Sequence, residues 1–328
     1  MKLASLRNGK RDGGLLVVSR DLAHAIDASA VAPSLLYALE HWQQVLPGLQ
    51  ALSRRLDNEG ARAAGAVAFE PRLCEAPLPR SPQWLDGSAF LAHGRLMQRA
   101  FGTPPIPDAD RVPVLYQGAS DDFLGPFDPV PLPDEADDID VEGEFGVIVD
   151  EVPMGIDARA ALQRVRLLVQ INDWSLRRFG PREMAAGFGF IQAKPSTAFA
   201  AVALTPDELG EAWRDGRVHL RLQVHCRGQE LGRPHGAEMA FGFGELIAHA
   251  ARTRRLRAGS IIGSGTVAND DPRAGQACIS ERRMRETLDG ASALTPFLRF
   301  GERICMRALD AAGAAPFGSI EQRVARCR

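Results

Sequence analysis

The chain has 328 residues, 45% hydrophobic and 24% charged, with a formal net charge of −2. That length supports one large domain with a smaller companion. The near-neutral balance and dispersed arginines exclude a nucleic-acid protein, whose affinity rests on a clustered basic face. Cys74, Cys226, Cys278, Cys305 and Cys327 lie far apart with no CxxC pair; they fit neither a disulfide framework nor a zinc site and point to a reducing cytosol. No apolar run is long enough to span a bilayer, and the first residues lack an apolar signal core, so a soluble, cytoplasmic chain without membrane partners is expected.

Residues Lys2 to Asp21 read as a hairpin, with strands at Leu3–Leu6 and Leu15–Val18 around a tight turn at Asn8-Gly9. Leu35, Leu36, Leu39 and Trp42 recur at helical spacing, Pro47-Gly48 interrupts, and Leu49, Leu52 and Leu56 resume the pattern. Residues 61–70 are Ala-rich and carry no signal. Pro71, Pro77, Pro79 and Pro82 stiffen the segment that follows, and a domain boundary is placed there, giving domains 1–76 and 77–328.

The stretch from Trp84 to Arg99 reads as a helix with Asp86 and His93 two turns apart on one side; the plain alternative is Asp86 as a helix cap and His93 as a partly buried structural histidine. Residues 101–133, rich in Pro, Gly and Asp, form a long loop region around a short strand at Val112–Tyr116. Phe145 to Val149 is β-branched and aromatic, a strand. Glu142 and Glu144 then share a face, roughly 7 Å apart at about 3.3 Å per residue. They are either an exposed strand end continuing the acidic loop Asp134, Glu135, Asp137, Asp138 and Asp140, or half of a divalent-cation site.

Ala158 to Val169 reads as an amphipathic helix leading into a buried strand at Leu168–Ile171, which ends in Asn172-Asp173-Trp174-Ser175. A carboxylate there is costly unless paired or metal-bound; an Asx-turn is the equal alternative for Asp173. Lys194 stands alone after Lys10 in a chain whose other bases are arginine. It is either a compact, tunable charge kept for a purpose or a survivor of composition. Thr205-Pro-Asp-Glu208 reads as a capping box opening a helix through Trp213. Val218–Val224 alternates as one strand with His219 on its solvated face, and Phe243–Arg254 is a helix. Ser260–Thr266 is a strand entering a glycine turn that can approach an anion. Glu281 lies in a polar segment, and strands near Phe297–Ala308 and Phe317–Ile320 complete the reading.

The segments WLDGSAFLAH, VLYQG, DVEGEFGVIVD, VQINDWSLR, FIQAKPSTAF and GSGTV occur in one order, and over most of residues 80–320 the chain resembles the fumarylacetoacetate hydrolase family. The resemblance implies an α+β, mostly β fold: a fumarylacetoacetase-type mixed β-sandwich or β-roll C-terminal domain, with a small β-rich N-terminal domain, in a homodimer. It implies a divalent cation, Mg²⁺ first with Mn²⁺ or Ca²⁺ as alternatives, held by Asp86, Glu142, Glu144 and Asp173. His93 then matches the family's general base, oriented by Glu281, and Lys194 a lysine near the metal. Tyr116 and Thr266 match substrate contacts, with Arg99 and Gln192 as further candidates.

Ser88 stands where the best-known member has a tyrosine, and Phe188 or Phe190 replaces another tyrosine, so the implied chemistry transfers better than the implied substrate. The expected activity is hydrolysis of the C–C bond of a β-diketo acid, fumarylacetoacetate- or acylpyruvate-like. The alternatives are a hydratase, isomerase or decarboxylase on a 2-oxo acid of aromatic catabolism, and a non-catalytic ligand-binding homologue.

Overall fold

The computed structural model describes residues 1–101 and 106–327. Its architecture is mixed, with more strand than helix, built on two large open sheets and two short two-stranded pairs, Ile139–Asp140 with Ser175–Leu176 and Trp213–Arg214 with Arg217–Val218. Residues 102–105 of the expected Pro/Gly/Asp-rich loop lie outside the described residues. Among the described residues no helix is long and apolar enough to cross a membrane.

The large sheet has eleven strands. Its order runs Ala66–Ala68, His24–Asp27, Gly14–Val18, Lys2–Leu6, Val202–Leu204, Val165–Asn172, Gly143–Val149, Ile261–Gly263, Trp84–Gly87 and Leu115–Gly118, with Ala198–Phe199 paired to Val165–Asn172 off this path. The smaller sheet has five, in the order Gln229–Gly232, Arg221–Cys226, Arg303–Leu309, Ser319–Arg326 and Val130–Leu132.

Gly143–Val149 is buried along its whole length, which is why it reads as nearly continuous apolar sequence rather than alternating. Phe145, Val147 and Val149 enter the core shared with Leu222, Val224, Met306 and Ile320 of the smaller sheet. Ile148 enters a second core with Leu35, Leu39 and Trp42. Strand alternation therefore puts Glu142 and Glu144 on the Ile148 side of the sheet. Gln170 ties the two sheets: its amide donates to the Met306 carbonyl at 3.1 Å and accepts from the Ala308 N–H at 2.8 Å.

Several local expectations give way to long-range pairing. The 84–99 stretch is not one helix. Trp84–Gly87 is a strand, parallel to Ile261–Gly263 and antiparallel to Leu115–Gly118, and the helix begins only at Leu91. Ladders on both sides, with Trp84 and Leu85 buried, outweigh the local helical pattern. The expected Ala158–Val169 helix stops at Leu162, because Val165–Asn172 is drawn into an antiparallel ladder with Gly143–Val149.

The Thr205 capping box does not form. Thr205 Oγ1 and Glu208 Oε1 instead accept from the Met1 amine at 2.6 and 2.8 Å, and Pro206–Ala212 is a 3₁₀ segment broken at Gly210. The first hairpin keeps its pairing, Lys2 opposite Val18 through Leu6 opposite Gly14, but seven residues join its strands where a tight turn was expected. The helical break near residue 47 falls at His41, between Leu35–Glu40 and Trp42–Glu59, and Pro47 is absorbed into the second helix.

Three further readings shift. Val218–Val224 splits into Arg217–Val218 and Arg221–Cys226, leaving His219 half-buried and edge-on to His235 at 6.1 Å. The strand expected at Val112–Tyr116 is Leu115–Gly118. Glu281 stands in the first turn of the Ile279–Leu288 helix.

Candidate metal centre

Four carboxylates from three strands of the large sheet and their ends converge, with Ile261–Gly263 lying between the strand of Asp86 and that of Glu144. One ligand oxygen from each of Asp86, Glu142, Glu144 and Asp173 lies within 4.8 Å of the others, and all four side chains are buried. The pairing explains the convergence. Glu144 sits opposite Ile171, Gly143 opposite Asn172, and the Asp173 N–H donates to the Glu142 carbonyl at 2.9 Å. Asn172 Oδ1 accepts from the Glu142 N–H at 3.0 Å and holds the strand start in place.

On the other side, Gly263 pairs with both Gly146 and Asp86. A Cβ at Gly263 would stand 2.3 Å from Asp86 Oδ1 and 2.4 Å from Trp84 Cη2, so only glycine admits this approach. The Gly265 N–H then donates to Asp86 Oδ1 at 3.0 Å.

Charge is unevenly balanced in the cluster. Lys194 Nζ bridges Glu142 Oε2 and Asp173 Oδ2, both at 2.7 Å. Thr197 Oγ1 donates to Asp173 Oδ1 at 2.8 Å, and the Tyr116 hydroxyl to Asp173 Oδ2 at 2.6 Å. Both oxygens of Glu144 are buried and accept from no N–H or alcohol donor among the described residues; the group facing them is the Asp86 carboxyl.

The titration directions follow. Burial, then the charge of Asp173, pushes the Asp86 carboxyl up to about 8. Burial, then Asp86 and Asp173, pushes Glu144 well above the usual carboxylate range. For Glu142 burial acts upward too, but Lys194 and Arg177 outweigh it and hold the group low. Burial lowers Lys194, and Asp173 and Glu142 more than reverse this, so its ammonium stays charged. Buried, unsatisfied acceptors in an all-oxygen set carrying excess negative charge suit a hard divalent cation such as Mg²⁺, Mn²⁺ or Ca²⁺.

Beside the cage, His93 Nδ1 lies 2.9 Å from Glu281 Oε1. Their helices, Leu91–Phe101 and Ile279–Leu288, pack on each other. Burial lowers the imidazole pKa, but the hydrogen bond and charge of Glu281 outweigh it and the group ends above 6.5.

Glu281 is placed by a residue that the acidic-loop reading left at the surface. Asp140 is fully buried: it accepts from the Ile279 and Ser280 N–H groups at 2.7 and 2.9 Å and from Arg177 Nε at 2.8 Å. A carboxylate at a helix N-terminus satisfies orphan donors and favours the dipole. The other arm of Arg177 reaches Glu142 Oε1 at 2.5 Å, so one guanidinium joins helix support to cage. Asp140→Ala is expected to lower unfolding free energy by about 3–5 kcal/mol, because it removes a fully buried carboxylate from the partly buried Arg177 and from two helix N–H groups. Urea unfolding measures this, and a loss below about 1 kcal/mol contradicts the assignment.

The other expected residues divide. Tyr116 joins the cluster through Asp173, with Phe190 edge-on to its ring at 5.0 Å. Thr266 is buried one residue past Gly265, but its hydroxyl bonds none of the cluster. Arg99, in the last turn of its helix, is exposed, and so is Gln192, whose backbone N–H goes to Glu183; neither forms a hydrogen bond or ion pair with the cluster. Sequence reasoning gave no role to Asp140, Arg177, Thr197 or Cys278. For Arg177 a signal existed: it ends the VQINDWSLR segment, four residues after Asp173.

Comparison with known proteins finds likenesses over both halves of the chain. Residues 83–325 match the family described as fumarylacetoacetate (FAA) hydrolase C-terminal, and residues 1–80 match fumarylacetoacetase N-terminal domain 2. A 2,4-didehydro-3-deoxy-L-rhamnonate hydrolase from Sphingomonas sp. (strain SKA58) is 28% identical over 165 residues, covering 49% of this chain and 54% of that protein. A mitochondrial oxaloacetate tautomerase of Homo sapiens is 24% identical over 169 residues, covering 49% of each. The chain thus spans about half the length of the curated relatives it matches. Among solved structures, maleylpyruvate hydrolase from Sphingobium sp. SYK-6, in complex with manganese(II) and pyruvate, superposes with a TM-score of 0.66 at 16% identity over 100% of both chains. That likeness is one of fold.

Proposed function

The chain belongs to the fumarylacetoacetate hydrolase family, and from that premise we propose that it is a divalent-cation-dependent enzyme hydrolysing a C–C bond of a β-diketo acid. The observation that carries this reading is the four-carboxylate cage, with Glu144 unpartnered, beside the His93–Glu281 pair. Asp86, Glu142, Glu144 and Asp173 would hold the cation, with Mg²⁺ as the working ion. Bound there, it supplies Lewis-acid polarisation of a dicarbonyl.

The chain's own residues supply the proton transfers. Glu281 engages His93 Nδ1, fixes the tautomer and leaves Nε2 to take a proton from water, which attacks a carbonyl carbon. Glu281 then stabilises the imidazolium, whose proton passes to the departing carbon as the C–C bond breaks. Lys194 sets a permanent positive charge where the departing carbon develops negative charge. Tyr116 and Thr266 are proposed substrate contacts; Arg99 and Gln192 would need to move inward to take part.

A second reading has specific support. One relative is named a tautomerase acting on oxaloacetate, and the same base moves a proton between carbon and oxygen without cleaving any bond between carbons. Incubation with acylpyruvates, fumarylacetoacetate and oxaloacetate in Mg²⁺ tests both readings, following enol absorbance and product mass. Two acids whose summed mass exceeds the substrate by one water is the result expected. Loss of the enol with mass conserved replaces hydrolysis by tautomerisation. No turnover of any of these acids with Mg²⁺, Mn²⁺ or Ca²⁺ overturns the enzymatic reading.

A further inference from the structure

We propose that Cys278, His93 and Glu281 form a second, softer cation site that takes Zn²⁺ and thereby blocks the His93–Glu281 pair. The cysteines are too widely spaced in sequence for a zinc motif, yet folding supplies a mixed set of donors. Cys278 Sγ, a ring nitrogen of His93 and a carboxylate oxygen of Glu281 lie within 4.8 Å of one another.

Two of these donors are fixed by one helix start. Cys278 is the N-cap of Ile279–Leu288, and its sulfur accepts from the Glu281 N–H at 3.4 Å, which turns thiol and carboxylate toward the same first turn. The third comes from the helix packed against it. Zinc bonds of about 2.0–2.3 Å in a tetrahedron set neighbouring donors roughly 3.3–3.8 Å apart. The trio therefore needs only a small inward movement. Sulfur, imidazole and carboxylate with one open position are zinc chemistry, whereas the neighbouring all-oxygen cage suits harder ions. Cys278 and Glu281 are buried, but the His93 side chain keeps 21% of its surface exposed, which is the route by which an ion enters.

Binding breaks the Cys278 S–H bond and forms a zinc–sulfur bond, the proton leaving to buffer. It also takes the lone pair of His93 Nδ1, the ring proton moving from Nδ1 to Nε2, and replaces the 2.9 Å contact to Glu281, so that Nε2 no longer has a lone pair to accept a proton. The inhibitory half of this proposal rests on the proton-transfer role given to His93 above; the binding half does not.

The test uses the full chain saturated with Mg²⁺. Cys278→Ser keeps a side-chain oxygen to cap the helix while removing the thiolate. Each variant is compared with its own zinc-free rate. Zn²⁺ is expected to suppress wild-type turnover, reversed by a zinc-selective chelator, with Cys278→Ser needing about tenfold more zinc or greater, the scale of metal-site perturbations. Co²⁺ gives an independent readout, a thiolate-to-cobalt charge-transfer band in wild type that is missing from Cys278→Ser. Inhibition of the two proteins at the same zinc concentration, absence of the band, or the same band in both overturns the site. A band with unchanged turnover leaves the site standing and overturns the role of His93.

Discussion

Replacing His93 with alanine is expected to lower kcat on the diketo-acid substrate by about 10²- to 10⁴-fold, the range that a positioned general base contributes. Binding of Mg²⁺ should be nearly unchanged, because His93 is not among the four carboxylate donors. The separation of effects follows from the layout: base and orienting carboxylate come from two helices, and the cage from strands and their ends. Titration calorimetry with Mg²⁺ and steady-state kinetics on the same preparation measure both halves.

The pH profile adds a sign. His93 works as a base only when neutral, and Glu281 holds its pKa above 6.5. In the wild type kcat/KM should therefore rise with pH through a value above 6.5, and this limb should move toward lower pH in Glu281→Gln. Unimpaired turnover by His93→Ala ends the proposed mechanism.

Glu144→Gln is expected to do two opposite things to stability. Glu144 is buried, its oxygens lack partners, and it faces Asp86 and Asp173. Its isosteric neutral replacement removes repulsion, so in the presence of a chelator the variant should melt at a higher temperature than the wild type. With Mg²⁺ the order should reverse. A cation at a hundred times its Kd stabilises the wild type by about 2.7 kcal/mol, and the variant loses most of this with one cage ligand gone.

The pH dependence follows from Asp86, whose folded pKa of about 8 lies above the usual carboxylate value. The folded chain then binds this proton more tightly than the unfolded chain. Without cation, stability should fall as pH rises from about 4 to 8, and the gain from Mg²⁺ should grow over the same window. Thermal melts at pH 5 and pH 8, with Mg²⁺ and with chelator, test the argument. A Glu144→Gln protein that keeps the full Mg²⁺ shift would contradict it.

The parts of the site legible in sequence are those whose geometry is local. Glu142 and Glu144 had to share a face because strand side chains alternate, and Asp173 had to end a buried strand because the residues before it are apolar. Lys194 stood out only by rarity, and the structure puts its ammonium between two cage carboxylates. The order of the motifs carried the family and the strand-rich fold, since each motif retains its own backbone requirement.

What failed was whatever depended on distant chain. Asp86 and His93 were read as two turns of one helix; pairing of Trp84–Gly87 with Ile261–Gly263, more than 170 residues on, makes one a strand residue and the other a helix residue. Asp140 belonged to a run of acids that solvent would normally keep, and only the helix start at Ile279 and the guanidinium of Arg177 justify its burial. Cys278 had no partner in sequence and gained two in space. By itself, then, the sequence put Glu142 and Glu144 on one strand face and Asp173 at the end of a buried strand, because alternation and composition act within a few residues, while the set of four carboxylates and the base came from the resemblance of the ordered motifs. Tertiary structure decided which acids are buried, how they are balanced and what stands beside them, because desolvation and long-range pairing are set only when the sheets and helices have met.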